Sequence, residues 1–127
     1  MRDAINPEGA VAVGPYSSGV RSGDFVFCSG QTPIDPTTKR LRTGGVGSQT
    51  IQCLNNLAVV LAGADLTPDD VVKVNVFLTH MSDFDQMNTA YAEFFNEPFP
   101  ARSTIGVAGL PLGASVEIEL VAQVRSS

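Results

Sequence analysis

Ser115-Val116-Glu117-Ile118-Glu119-Leu120-Val121-Ala122-Gln123-Val124 decides the fold. Side chains alternate across a strand, so Val116, Ile118, Leu120, Ala122 and Val124 share one face, while Glu117, Glu119, Val121 and Gln123 share the other. The first face is wholly apolar and needs helices packed on it. The second mixes two carboxylates with a valine. Another stretch reads the same way: Val72, Val74, Val76 and Leu78 alternate with Lys73, Asn75, Phe77 and Thr79. A sheet with helices on one side and a mixed second face often covers that face with another subunit, which predicts a closed homo-oligomer.

Two helices can supply the cover. Over residues 48–62, Ile51, Leu54, Ala58 and Leu61 recur at helical spacing, and Gly63 is placed to cap the C-terminus. Ser82-Asp83-Phe84-Asp85 opens a second helix, on which Phe84, Met87, Tyr91 and Phe94 form an apolar face that reads as core packing. Pro98 and Pro100 end it. Between the helices, Thr67-Pro68-Asp69-Asp70 resembles a helix start but leaves room only for a short turn before the strand at 72–78. Upstream, residues 10–13 and 18–21 read as extended, broken by Gly14-Pro15-Tyr16. The latter joins 25–29 in a hairpin through Ser22-Gly23-Asp24, and 30–37 is a proline-stiffened loop. A further strand is expected at 103–107 and a loop at 108–114. With no repeat, low-complexity segment or linker, residues 1–127 read as a single α+β domain.

Composition narrows the function. A net charge of -5 argues against a dedicated nucleic-acid binder, which presents a basic face. No apolar run is long enough for a membrane helix, and the first residues lack a signal-peptide core, so a cytoplasmic location is expected. Cys28 and Cys53 lack metal-ligand spacing and read as small, buried, reduced hydrophobes. His80 is the only histidine, and no motif around it suggests a triad or a metal site, so no metal is expected there.

Arg102 is the one Lys or Arg between Val74 and Val124, a span holding Asp83, Asp85, Glu93, Glu97, Glu117 and Glu119. It sits at the mouth of a predicted strand, after Phe99-Pro100-Ala101. An isolated guanidinium there is either a paired structural cation or a carboxylate clamp. The planar fork of arginine matches a carboxylate through two parallel hydrogen bonds.

Taken together, Gly14-Pro15-Tyr16-Ser17, Ser29-Gly30-Gln31 with Pro33 and Pro36, Gln49 with Leu54 and Asn56, Asp83-Phe84 with Asn88 and Tyr91, Phe99-Pro100-Ala101-Arg102-Ser103, and Leu110-Pro111 followed by Val116-Glu117-Ile118-Glu119 form an ordered set. In order and spacing the chain resembles the reactive intermediate deaminase (Rid/YjgF) family, from near residue 5 to near residue 125. The resemblance implies a fold like that of the small trimeric chorismate mutases: a mixed sheet with two helices on one face, and three sheets joined in a barrel-like core. It implies ligand sites in the clefts between subunits of a homotrimer. Family members that keep the arginine hydrolyse 2-imino and 2-enamino acids, such as 2-aminoacrylate, to 2-keto acids and ammonia.

Carried onto this chain, the resemblance implies that Arg102 holds the substrate carboxylate and that Glu117 positions and deprotonates the attacking water. The alternative for Glu117 is an interface salt bridge to an arginine, and Glu119 reads as structural. Tyr16 and Asn88 match positions lining the cleft; otherwise they are a core tyrosine at a turn and an exposed helical asparagine. Ser29, Gly30 and Thr104 complete the implied substrate-binding set, with backbone N–H groups near Gly30 and Thr104 as donors. A glycine at 30 lets a small ligand approach the main chain. Thr104 stands where many members carry cysteine, and the connection from Phe95 to Phe99 is shorter than in many relatives. No cofactor is implied, because the substrate is already an activated electrophile. Two other readings remain open: a non-catalytic, regulatory binder of small keto acids, and RNA cleavage or chaperone-like binding. The low basic content weighs against RNA.

Overall fold

The computed structural model describes residues 1–125. Six strands form one sheet: β1 (Asp3–Ile5), β2 (Gly19–Ser22), β3 (Phe25–Gln31), β4 (Val71–Leu78), β5 (Ala101–Gly106) and β6 (Val116–Gln123), in the order β1-β2-β3-β6-β4-β5. Helix α1 (Val46–Gly63) and helix α2 (Phe84–Phe94) pack on one face. This is the mixed sheet with two helices expected of the Rid/YjgF fold.

The topology follows from β6. Both β3 and β4 run antiparallel to it, so they are parallel to each other and need a crossover, which α1 provides. β4 and β5 pair in parallel, and α2 makes that second crossover. The core lies between sheet and helices. Val74, Val76 and Leu78 of β4 and Val116, Ile118 and Ala122 of β6 are fully buried there against Leu54, Leu57 and Leu61 of α1 and Met87 of α2. Burying each of the Val, Leu, Ile and Met side chains among them contributes roughly 1.5–3 kcal/mol. The opposite face carries Phe25, Phe27 and Ile105, each at least 40% exposed, among Lys73, Asn75, Phe77, Glu117 and Glu119.

Four local readings change. Residues 10–13 form no strand; instead the three-residue β1 pairs with β2 along the sheet edge. So short an edge strand carries no periodic signal. Gly63 is the last helical residue, not the cap. Asp65, at φ 58°, takes the left-handed position, with Asp65 N–H donating to Ala62 O and Leu66 N–H to Leu61 O. A Cβ on Gly63 would stand 2.9 Å from Pro7 Cγ, so the glycine serves close packing. In β4 the register shifts between Val71 and Lys73, which turns Val71 into the core and leaves Val72 39% exposed. Finally, β5 begins at Ala101, so Arg102 belongs to the strand.

Candidate functional site

Arg102 is paired in register with Val74, and its side chain lies on the helix-covered side at the sheet edge. Its guanidinium carbon stands 4.7 Å from the Tyr91 ring centroid and 5.7 Å from that of Phe84. Its Nη1 donates to Met87 Sδ at 3.9 Å. Among the described residues the ion pair that forms is Arg125–Asp70, and no carboxylate lies within 4.0 Å of Arg102. The guanidinium therefore rests on aromatic faces, and among the described residues its N–H donors meet no side-chain oxygen acceptor. A cavity of about 410 Å³ opens here, lined by Asn88, Tyr91, Ala92, Phe99, Pro100 and Arg102. Asn88 Oδ1, Tyr91 Oη and Thr104 Oγ1 are buried without hydrogen-bond partners among the described residues. Thr104 is two residues from Arg102 on the same strand face.

Glu117 lies on the other face of the sheet, paired in register with Phe77. A second cavity, of about 430 Å³, gathers Tyr16, Ser29, Gly30, Thr32, Glu117 and Glu119. Burial, followed by the charge of Glu119, pushes the Glu117 carboxyl above its ordinary 4.5. Glu119 itself accepts a hydrogen bond from Asn75 Nδ2 at 3.0 Å, in keeping with a structural role. Ser29 Oγ is committed to Ser17 O at 2.7 Å, and Tyr16 Oη accepts from Val13 N–H at 3.1 Å while the ring stays 42% exposed.

One chain thus sorts the expected residues into two groups on opposite faces. Arg102, Asn88 and Thr104 belong to one; Tyr16, Ser29, Gly30 and Glu117 belong to the other. Within the chain Arg102 and Glu117 do not pair. The arginine's aromatic bed is not legible in the sequence, because the helical spacing of Tyr91 and Phe84 points only to core packing. An arginine without nearby counter-charge, preceded by a helix with aromatics on one face, was the available signal.

The described residues include no cluster of three or more metal-ligating side chains, and none of their helices is long and apolar enough to cross a membrane. His80 is exposed beside Thr79 Oγ1, 3.1 Å from its Nδ1.

The family described as endoribonuclease L-PSP matches residues 7–124. The structure of the YjgF gene product of E. coli superposes with a TM-score of 0.91 at 38% identity, covering 97% of this chain and 99% of that one. The chain belongs to the Rid/YjgF family. Among other Rid/YjgF relatives, a RutC family protein of Pyrococcus horikoshii is 42% identical over 96% of this chain and 98% of its own. A 2-iminobutanoate/2-iminopropanoate deaminase of Dermatophagoides farinae is 42% identical over 86% of this chain and 85% of its own.

Proposed function

We propose that this Rid/YjgF protein hydrolyses 2-imino and 2-enamino acids to 2-keto acids and ammonia. The observation that carries the reading is Arg102: a half-buried guanidinium laid on Tyr91 and Phe84, with no carboxylate partner among the described residues. Such a cation is prepared for a small carboxylate ligand. Its fork would take both carboxylate oxygens and fix the adjacent C=N carbon. The deaminase relative of Dermatophagoides farinae supports the same chemistry.

The second component is Glu117. A carboxylate beside an anionic ligand serves a catalyst better than a binder, and this one is pushed upward in pKa, which makes it a better base. Glu117 takes a proton from water as the water oxygen adds to the imine carbon. Glu117 returns that proton to the nitrogen, giving a neutral carbinolamine; the carbinolamine O–H proton then passes through Glu117 to the same nitrogen, the C–N bond breaks, and ammonia leaves as the C=O bond of the 2-keto acid forms. An enamine first takes a proton on carbon to become the imine. No cofactor enters these steps. Tyr16, Gly30 and Ser29 line the water side; Asn88 and Thr104 line the carboxylate side.

Because the two groups lie on opposite faces of one sheet, a complete site needs a second copy of the chain. The exposed Phe25, Phe27 and Ile105 offer the surface for it. We infer a homotrimer with sites between subunits, acting in the cytoplasm, where its two unpaired cysteines stay reduced. Endoribonuclease activity, named in the family's description, fits these residues less well: Glu117 and Glu119 would repel a phosphate backbone.

The test is a coupled assay in which a pyridoxal-phosphate lyase or an amino-acid oxidase generates the imine while semicarbazide competes for it. Wild type accelerates keto-acid release. Arg102→Ala loses about a hundredfold or more, as does removal of other preorganised electrostatic groups, while retaining fold and oligomer. No acceleration by wild type across several imino acids overturns the deaminase in favour of the carboxylate binder.

A further inference from the structure

We infer that Tyr91 is a positioning residue that acts through Arg102: its ring face holds the guanidinium flat at the cavity wall, ready for a carboxylate. This rests on the clamp role proposed above and adds the device that sets the clamp.

Tyr91 is 5% exposed, and the guanidinium carbon lies 4.7 Å from its ring centroid, closer than the 5.7 Å to Phe84. A π face attracts a guanidinium stacked on it and leaves the in-plane N–H groups pointing outward. Met87 Sδ, a weak acceptor, is the side-chain group that Arg102 donates to. The ring is itself braced: Tyr91 packs on Phe95 at 4.8 Å between centroids, and Phe94 meets Phe95 edge-on at 5.0 Å. Phe95 is 4% exposed, so the support is part of the core.

An acidic partner would also have held Arg102, but it would have competed with an anionic ligand for the same donors. An aromatic bed orients the cation without occupying them. The Tyr91 hydroxyl is buried and unpartnered among the described residues, so the face of the ring, not the oxygen, does the holding.

The experiment measures the dissociation constant of pyruvate or 2-oxobutanoate by titration calorimetry on the intact oligomer. Tyr91→Phe keeps the face and binds as wild type does. Tyr91→Met fills much of the volume without a π face and weakens binding about tenfold, within the range of a partly desolvated cation–π contact. In NMR spectra of the wild type, the Arg102 Nε–H proton, assigned by its loss in Arg102→Ala, is shifted upfield by the ring current. That readout needs no folded Tyr91 variant. Unaltered affinity in a folded Tyr91→Met, or an unshifted Arg102 Nε–H in wild type, overturns the inference while leaving the deaminase intact. Failure of wild type to bind any keto acid overturns the clamp itself, whereas binding without acceleration of imine hydrolysis overturns only the deaminase.

Discussion

Gly30 and Glu117 are packed so closely that a Cβ on residue 30 would stand 2.9 Å from Glu117 Oε2 and 3.0 Å from its Cδ. The glycine makes room for the carboxylate. Its backbone is not in the left-handed region, so a side chain there conflicts with Glu117 rather than with its own φ. Gly30→Ala should therefore fold and assemble as wild type does, with the Glu117 carboxylate displaced by a few tenths of an ångström or more. Deaminase kcat/KM should fall by about ten- to a hundredfold, the scale set by misplaced catalytic groups. Thermal unfolding and the coupled assay check the two halves. Full activity in Gly30→Ala would remove the tight fit from the mechanism.

The periodic parts of this fold are legible in the sequence. The alternation in β6 and the 3.6-residue spacing in both helices place the core, because burial imposes those periods directly. The turn at Ser22-Gly23-Asp24 gave the hairpin, and Gly23 indeed sits at φ 61°. What sequence could not give was pairing between distant strands. Alternation within β6 places Glu117 on the face away from the helices, but Arg102 lies on the helix side because β5 runs parallel to β4 with Arg102 opposite Val74, and that register is not encoded within a strand. The bulge after Val71 was hidden for the same reason, and the aromatic stripe on α2 concealed a second use because packing and cation-holding ask for the same residues.

Glu117 makes opposite demands on stability and on catalysis. Its folded carboxyl titrates above the ordinary 4.5, first through burial and then through Glu119. The folded state therefore binds this proton more tightly than the unfolded chain does. Its stabilising contribution is fully present below the unfolded value and is lost as pH rises through the raised folded one. Glu117→Gln should raise the melting temperature relative to wild type at neutral pH, and the gain should vanish below about pH 4. The same variant should still bind keto acid but turn over imine much more slowly. Asp70 has the reverse sign. Arg125 holds its carboxyl below the ordinary 3.8, so that contribution is present above 3.8 and disappears as pH falls through the lowered value. An Asp70→Asn control should thus lose stability at neutral pH while Glu117→Gln gains it.

The cysteines should be inert in the native protein. Cys28 is 5% exposed and Cys53 is fully buried. Burial pushes the Cys28 thiol up to about 12, and burial, followed by the charge of Glu117, holds the Cys53 thiol well above the ordinary 9.0. Only the thiolate reacts, so neither cysteine serves as a nucleophile in the native protein. Mass spectrometry after iodoacetamide at pH 8 should find no label on native protein and two on the denatured chain. Rapid native labelling would contradict the burial of both.

The exposed sheet face provides the last prediction. Phe27 is 48% exposed and Ile105 49%, on a face that also bears Glu117 and Glu119. Alternation along β3 directs Phe27 away from Val26 and Cys28, which lie in the core, so a charge at 27 disturbs no intrachain packing. If the proposed trimer forms through this face, Phe27→Glu should keep the secondary structure of the wild type but shift the particle towards monomer in light scattering. It should also lose imine hydrolysis, although Arg102 and Glu117 are both intact, if the proposed site is completed by a second chain. Mixing Arg102→Ala with Glu117→Gln subunits sharpens the point. If sites form between chains, mixed trimers recover part of the activity that either variant lacks. Recovery is impossible if each chain supplies a whole site, and a fully active Phe27→Glu monomer would lead to the same conclusion.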